Sequence, residues 1–308
     1  MAMSRPDLTV AVGDWQLANP VMTASGTFGY GVEYADFVDL NSLGAIVVKG
    51  VSLLPRPGNP PPRIVETACG MLNAIGLENP GVEKFIAEKL PQLRDYSCPV
   101  VVNILGESME EYCALAERLD GENIAAIEVN ISCPNVKKGG VAFGTDAKMI
   151  RELTRCVREK CHKPVIIKLS PNVTDITAMA LAAEEGGASA VSLINTILGM
   201  AIDIHSRKPK LANKVGGLSG PAIKPVALRM VWQVAQRVKI PVIGIGGIST
   251  VEDVIEFLLA GATAVQIGTA NFVNPNAAGM IVAGLERYLV DHQIGSVKEL
   301  INGLRTEG

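Results

Sequence analysis

Two lysines sit where a charge is expensive. Lys168 stands in "VIIKLS" and Lys49 in "IVVKGV", both inside apolar runs that read as buried strands. A charge in such a place is costly unless it is paired or in use. A third group with chemistry to offer is Cys133, in "EVNISCPN" (128–135). There Val129 and Ile131 alternate with Glu128, Asn130 and Ser132, as in a strand with one apolar face, until Pro134 removes the next ladder donor. By residue type alone Cys133 reads as a small buried hydrophobe. Its place between Asn130 and Asn135, at a strand end, makes it a candidate reactive thiol.

Lys168 admits two chemistries. It could form a Schiff base, as on a barrel strand of an aldolase. Its fixed charge could instead stabilise an anionic reduced flavin. The asparagines favour the second. Asn73, Asn103, Asn130, Asn135 and Asn195 supply donors and acceptors without charge. Such a set suits a flat ring of alternating N–H and C=O groups, a pyrimidine or an isoalloxazine. Glycines add an anion site: "GGLSG" (216–220), "GGIST" (246–250) and "GTA" (268–270) let backbone N–H groups approach a phosphate at helix starts.

These residues must be held by strands. Eight short apolar runs recur at 20–26, 45–51, 99–106, 126–133, 164–171, 190–196, 241–248 and 264–270. Helical patterns fall between them at 108–120, 145–161, 174–187, 221–239 and 249–262. Ser108 with Glu111 predicts a capping box, and Thr or Ser opens three of the others. Strand and helix alternating eight times predicts an α/β fold, a (β/α)₈ TIM barrel, as a single domain over 1–308. "GIGGIS" lacks the third glycine of a dinucleotide fingerprint and comes at the seventh strand, against an open doubly wound sheet. "LTVAVGDWQLANP" predicts an N-terminal hairpin closing the barrel's bottom. Inserted loops follow strands 2, 4 and 6: 52–80, "VKKGGVAFG" (136–144) and 197–219. Long excursions in a compact domain are usually functional, and the glycine-rich second one reads as a lid.

The barrel prediction places the polar residues together, because chemistry in this fold sits at the C-terminal strand ends. Ser25, Lys49, Asn103, Asn130 with Cys133, Lys168, Asn195 with Thr196, Gly246 with Gly247, and Gly268 with Thr269 end the eight strands in turn.

Bulk properties narrow the partners. With 48% hydrophobic and 19% charged residues, the chain can bury a large core. A net charge of −3 argues against nucleic acid. No run reaches the roughly 18 apolar residues of a membrane span, and "MAMSRPDLTV" has no signal-peptide core. A cytoplasmic enzyme without membrane contact is expected. Six cysteines without a C-x-x-C pair fit neither a zinc site, a disulfide framework nor an iron–sulfur cluster. Cys113, Cys156 and Cys161 fall in helical patterns and read as packed or surface thiols. His205, Arg207, Lys208, Lys210 and Lys214 read as a solvated hairpin.

"NISCPN", "MLNAIGLENPG", "INTILGMAID", "KVGGLSGPAIKP" and "GIGGI" with "IGTA" resemble the dihydroorotate dehydrogenases, flavin enzymes of pyrimidine biosynthesis, in family order over nearly the whole chain. "SCPNVKKGGVAFGTD" and "NTILGMAID" look like the NAD-linked B type. The resemblance implies FMN across the barrel mouth, its phosphate at Gly220, Gly246, Gly247, Gly268 and Thr269. The rest of the flavin would meet Ser25, Lys49, Gly50, Asn103, Asn130, Lys168 and Ile194. Dihydroorotate would meet Lys49, Asn73, Ala74, Ile75, Gly76, Leu77, Asn130, Asn195 and Thr196, with Asn135 a further candidate. Cys133 would be the base that takes the C5 proton as hydride leaves C6 for FMN, giving orotate. The resemblance further implies a partner subunit carrying FAD and a [2Fe–2S] cluster, and a homodimer core in a 2+2 heterotetramer. No metal is expected in this chain. Rival readings are the A type, which passes electrons to fumarate without a partner, a flavin-free Schiff-base lyase, and a non-catalytic phosphate-binding barrel.

Overall fold

The structure is a computed structural model that describes residues 5–132 and 143–305. In chain order its strands are β1 Val10–Val12, β2 Trp15–Leu17, β3 Val21–Thr23, β4 Ile46–Val51, β5 Ile64–Thr67, β6 Gly70–Asn73, β7 Val100–Ile104 and β8 Ala126–Asn130. There follow β9 Val165–Lys168, β10 Ala190–Leu193, β11 Ile197–Met200, β12 Ile202–Asp203, β13 Lys208–Pro209, β14 Val215–Ser219, β15 Val242–Ile245 and β16 Ala264–Ile267.

Eight of these are parallel and lie side by side as β3-β16-β15-β10-β9-β8-β7-β4. The ring closes between β4 and β3, where Thr23 N–H donates to Ala45 O at 3.2 Å and Val47 N–H to Thr23 Oγ1 at 2.9 Å. Every predicted barrel run contains one of these strands. Their Val, Ile and Ala side chains are buried against helices Met109–Asp120, Ala147–Lys160, Ile176–Glu185, Lys224–Ala235, Val251–Leu259 and Ala277–Asp291 in one core. Near-continuous apolar strands are what a parallel sheet covered on both faces requires.

Three of the helix starts lie one residue past the expected Thr or Ser. Asp146, Asp175 and Thr250 are the N-caps, because each has a side-chain oxygen that reaches the N–H groups of the first turn. The capping box expected at Ser108 is half formed. Ser108 Oγ accepts from Glu111 N–H at 3.3 Å, but the Glu111 carboxylate turns back to Glu107 N–H at 2.7 Å.

The predicted hairpin is β1–β2, turning at Gly13 (φ 63°). A Cβ at Gly13 would lie 3.6 Å from Ser189, which precedes β10, so the hairpin closes the N-terminal end of the barrel. The excursions after the second and sixth barrel strands are not loops only. β5 and β6 from one and β11 and β14 from the other form an antiparallel sheet, β11-β14-β6-β5. The expected solvated hairpin is β12–β13 with exposed Arg207, Lys208 and Lys210.

Cys113 and Cys156 depart from expectation. They are joined by a disulfide, with Cα atoms 6.1 Å apart, that links helices Met109–Asp120 and Ala147–Lys160. These helices are neighbours around the barrel, a closeness that a sequence separation of 43 does not display. Cys98 and Cys161 are free and buried, and Cys69 is free and exposed.

Candidate active site

The C-terminal ends of the barrel strands carry a polar network inside an apolar wall. At its centre is Glu128, on β8 and fully buried. Its Oε1 accepts from Asn103 Nδ2 at 2.7 Å and from Lys168 Nζ at 3.4 Å. Its Oε2 accepts from Gln266 Nε2 at 2.7 Å and Ser192 Oγ at 2.9 Å. β16 faces β8 across the ring, so the Gln266 bond spans the interior. An alternating polar position, which in a flat sheet would face water, faces the barrel centre instead. Lys168, 4% exposed, also donates to Ser25 Oγ at 3.1 Å, across the mouth. A buried ion pair needs this kind of hydrogen-bonded surround to be tolerated.

Above this layer the asparagines meet. Asn195 Nδ2 donates to Asn130 Oδ1 at 3.2 Å, and Asn195 Oδ1 accepts from Thr196 N–H at 2.7 Å. Tyr112 O–H donates to the Asn130 carbonyl at 2.7 Å, fixing the end of β8. Asn73 Nδ2 approaches the Gly217 carbonyl at 3.4 Å, and a Cβ at Gly217 would run into Thr196 Oγ1. Asn73 and Thr196 therefore flank one glycine of β14. Residues 74–77 continue from Asn73 and are pinned by Asn59, whose N–H donates to the Ile75 carbonyl and whose Nδ2 donates to the Ala74 carbonyl, both at 2.9 Å. Gly76 (φ 78°) packs so closely on Asn59 that a side chain there would displace it. Lys49 is half-buried on β4, its N–H donating to the Gly29 carbonyl at 2.8 Å.

The glycines converge as well. A Cβ at Gly220 would lie 3.6 Å from Thr269 Cγ2, and one at Gly247 would lie 2.9 Å from the Gly220 carbonyl. Thr269 Oγ1 donates to Ser219 Oγ at 2.8 Å. Gly246 packs on Ile194, with 3.3 Å between a Cβ there and Ile194 Cγ1. Backbone approaches closely here where any side chain would intrude, the kind of glycine-lined cradle on which N–H groups can meet an anion. The helix at 251 contributes less than its sequence promised. Asp253 Oδ2 already accepts from Ser249 N–H at 2.8 Å and Thr250 N–H at 2.9 Å.

The donor set also fits a flavin ring. Asn103 Oδ1 is buried without a hydrogen-bond partner, and it lies 2.8 Å from where a Cβ on Gly50 would stand, with Leu105 Cδ2 on the same position at 2.4 Å. An orphaned acceptor at the mouth suits a ring N–H. Cys133, Asn135 and residues 136–142 of the expected lid lie outside the described residues. Among the described residues, no group of three His, Cys, Asp or Glu side chains could hold a metal ion.

Sequence reasoning missed Glu128, Ser192, Gln266 and Asn59. A carboxylate and an amide inside "AIEVN" and "AVQIG" were available signals, since a buried strand rarely spends such residues without a partner.

The chain belongs to the dihydroorotate dehydrogenase family, whose family model matches residues 7–289. It is 62% identical over 305 residues to the protein of Geotalea uraniireducens named dihydroorotate dehydrogenase B (NAD(+)), catalytic subunit, covering 99% of this chain and 100% of that one. The proteins of the same name from Geobacter sulfurreducens and Thermoanaerobacter pseudethanolicus are 61% and 56% identical, each over 98% of this chain and 99% and 100% of theirs.

Proposed function

We propose that this chain, as one barrel domain, oxidises dihydroorotate to orotate in pyrimidine biosynthesis as the FMN-bearing catalytic subunit of an NAD-linked enzyme. The Lys168–Glu128 pair buried at the barrel mouth, with an orphaned Asn103 acceptor beside it, carries the reading. The names of relatives aligned over the full chain support the substrate and the NAD link.

When bound, FMN supplies the acceptor for the hydride that leaves C6 of dihydroorotate. The chain's own residues do the rest. The backbone of Gly220, Gly246, Gly247, Gly268 and Thr269 holds the phosphate. Ser25, Lys49, Gly50, Asn103, Asn130, Lys168 and Ile194 line the ring. Lys49 pairs with the substrate carboxylate. Asn130, Asn195, Thr196, Asn135 and the 73–77 segment hold the pyrimidine ring through amide and backbone groups. Cys133 Sγ takes the C5 proton, the thiol's usual pKa near 8.5 leaving a few per cent thiolate at neutral pH. A partner subunit carrying FAD and a [2Fe–2S] cluster would supply the electron path to NAD, two of each chain forming a cytoplasmic heterotetramer. No helix among the described residues is long and apolar enough to cross a membrane.

The test is an anaerobic visible spectrum of the purified chain before and after dihydroorotate. Rapid bleaching of a flavin band is expected. A yellow protein that dihydroorotate leaves unbleached would remove the substrate assignment, and a colourless protein unable to take up FMN would remove the cofactor.

A further inference from the structure

Glu128 touches neither the cradle nor the substrate segment, yet every polar group around it is a donor. Asn103 Nδ2 and Lys168 Nζ serve one oxygen, and Gln266 Nε2 and Ser192 Oγ serve the other. A carboxylate accepts only, with room for about four such bonds, so this one is saturated. Its chemistry decides how the two amides are turned. Both must spend their NH₂ ends inward, which leaves Asn103 Oδ1 and Gln266 Oε1 buried and unpartnered.

The two outcomes differ. Gln266 lies on β16, across the ring from β8, with its side chain inside the barrel and 0% exposed. Asn103 is the last residue but one of β7, and its spare oxygen lies 2.8 Å from where a Cβ on Gly50 would stand, a position that Leu105 Cδ2 crowds from 2.4 Å. The oxidised isoalloxazine ring has a single N–H, at N3, between two carbonyls. An acceptor locked toward it selects that edge. Had Asn103 been free to turn, its NH₂ could face the ring equally well.

We propose that Glu128 is a positioning residue: its buried carboxylate locks the amide of Asn103, together with the ammonium of Lys168, so that a fixed carbonyl oxygen meets the flavin N3–H. The inference rests on the flavin assignment above.

The test is binding, without substrate. Apoprotein is titrated with FMN and with 3-methyl-FMN, which carries a methyl group in place of that N–H, and flavin fluorescence reports occupancy. Wild-type protein should favour FMN at least tenfold, because the locked oxygen cannot retreat from the methyl group. In Glu128→Leu the amide is freed, and the preference should fall by more than threefold. Glu128→Gln keeps a carbonyl oxygen for Asn103 Nδ2 and Lys168 Nζ, so its preference should stay within threefold of wild type. If Glu128→Leu does not fold, Glu128→Asp, with the carboxylate withdrawn by one methylene, should show the same fall.

A wild-type protein indifferent to the methyl group overturns the inference. So does an unchanged preference in the Leu or Asp variant, or an equal loss in the Gln variant. Because dihydroorotate is absent, these outcomes are separate from whether dihydroorotate bleaches the wild-type flavin.

Discussion

Lys168 and Glu128 sit on adjacent strands with Nζ and Oε1 3.4 Å apart, and both side chains are almost wholly removed from solvent. Breaking such a pair leaves one buried charge unmatched, which typically costs about 3–5 kcal/mol. Lys168→Met should therefore lower the stability of the apoprotein by about 3 kcal/mol or more and also weaken FMN retention. Urea unfolding and flavin titration check the two effects. A variant with wild-type values for both would mean that Lys168 is neither the partner of Glu128 nor part of the flavin site.

Cys133→Ser should keep the flavin and lose turnover at neutral pH, because an alcohol is a far weaker acid than a thiol. The expected fall in kcat is roughly 10²–10⁴-fold, the range a positioned general base contributes. Steady-state rates at pH 7 and 9 with equal flavin content decide it. Near-normal turnover at pH 7 would remove Cys133 from the proton transfer.

Asn59 offers a different kind of test, since it lies one layer outside the site. Its Nδ2 bond to the Ala74 carbonyl at 2.9 Å steadies the segment proposed to hold the substrate. Losing a bond of about 1 kcal/mol should raise KM for dihydroorotate roughly fivefold in Asn59→Ala, with kcat little changed. A fall in kcat at constant KM would place the residue in the chemistry instead.

Thiol accessibility gives a pH-dependent prediction. Burial pushes the Cys161 thiol up to about 11 and the Cys98 thiol up to about 12, while both ionise near 9 once exposed. Above pH 9 the unfolded chain releases protons that the folded chain still holds, so unfolding is favoured as pH rises. Stability should thus decline between about pH 9 and pH 12, and iodoacetamide at pH 8 should label Cys69 well before Cys98 or Cys161. Equal labelling of all three in the native protein would contradict the burial.

Much of this architecture is written locally. The barrel strands announce themselves as valine and isoleucine runs, and their polar C-terminal residues name Ser25, Asn103, Asn130, Lys168 and Asn195 in order. Glu128 was hidden by geometry: alternation along a strand marks two faces, and only ring closure tells which face is the interior. β5, β6, β11 and β14 were hidden by distance. Ile64 and Val215 are exposed and their strands short, while the pairing of Asn73 with Gly217 joins residues 144 positions apart. Asn59, in "RPGNPPP", carries the signature of a turn and nothing of its reach to the Ala74 carbonyl. The disulfide between Cys113 and Cys156 likewise depends on which helices become neighbours.

The pairing of β6 with β14 makes the excursions after the second and sixth barrel strands a single structural part. Asn73 arrives on one and Thr196 at the root of the other, and the ladder between them fixes their separation. Transplanting either insertion alone into a related barrel would leave an unmatched strand edge and misplace half of the proposed substrate pocket. Moved together, they would carry part of the glycine cradle with them, because β14 ends at Ser219, whose Oγ accepts from Thr269 Oγ1, and Gly220 follows it directly.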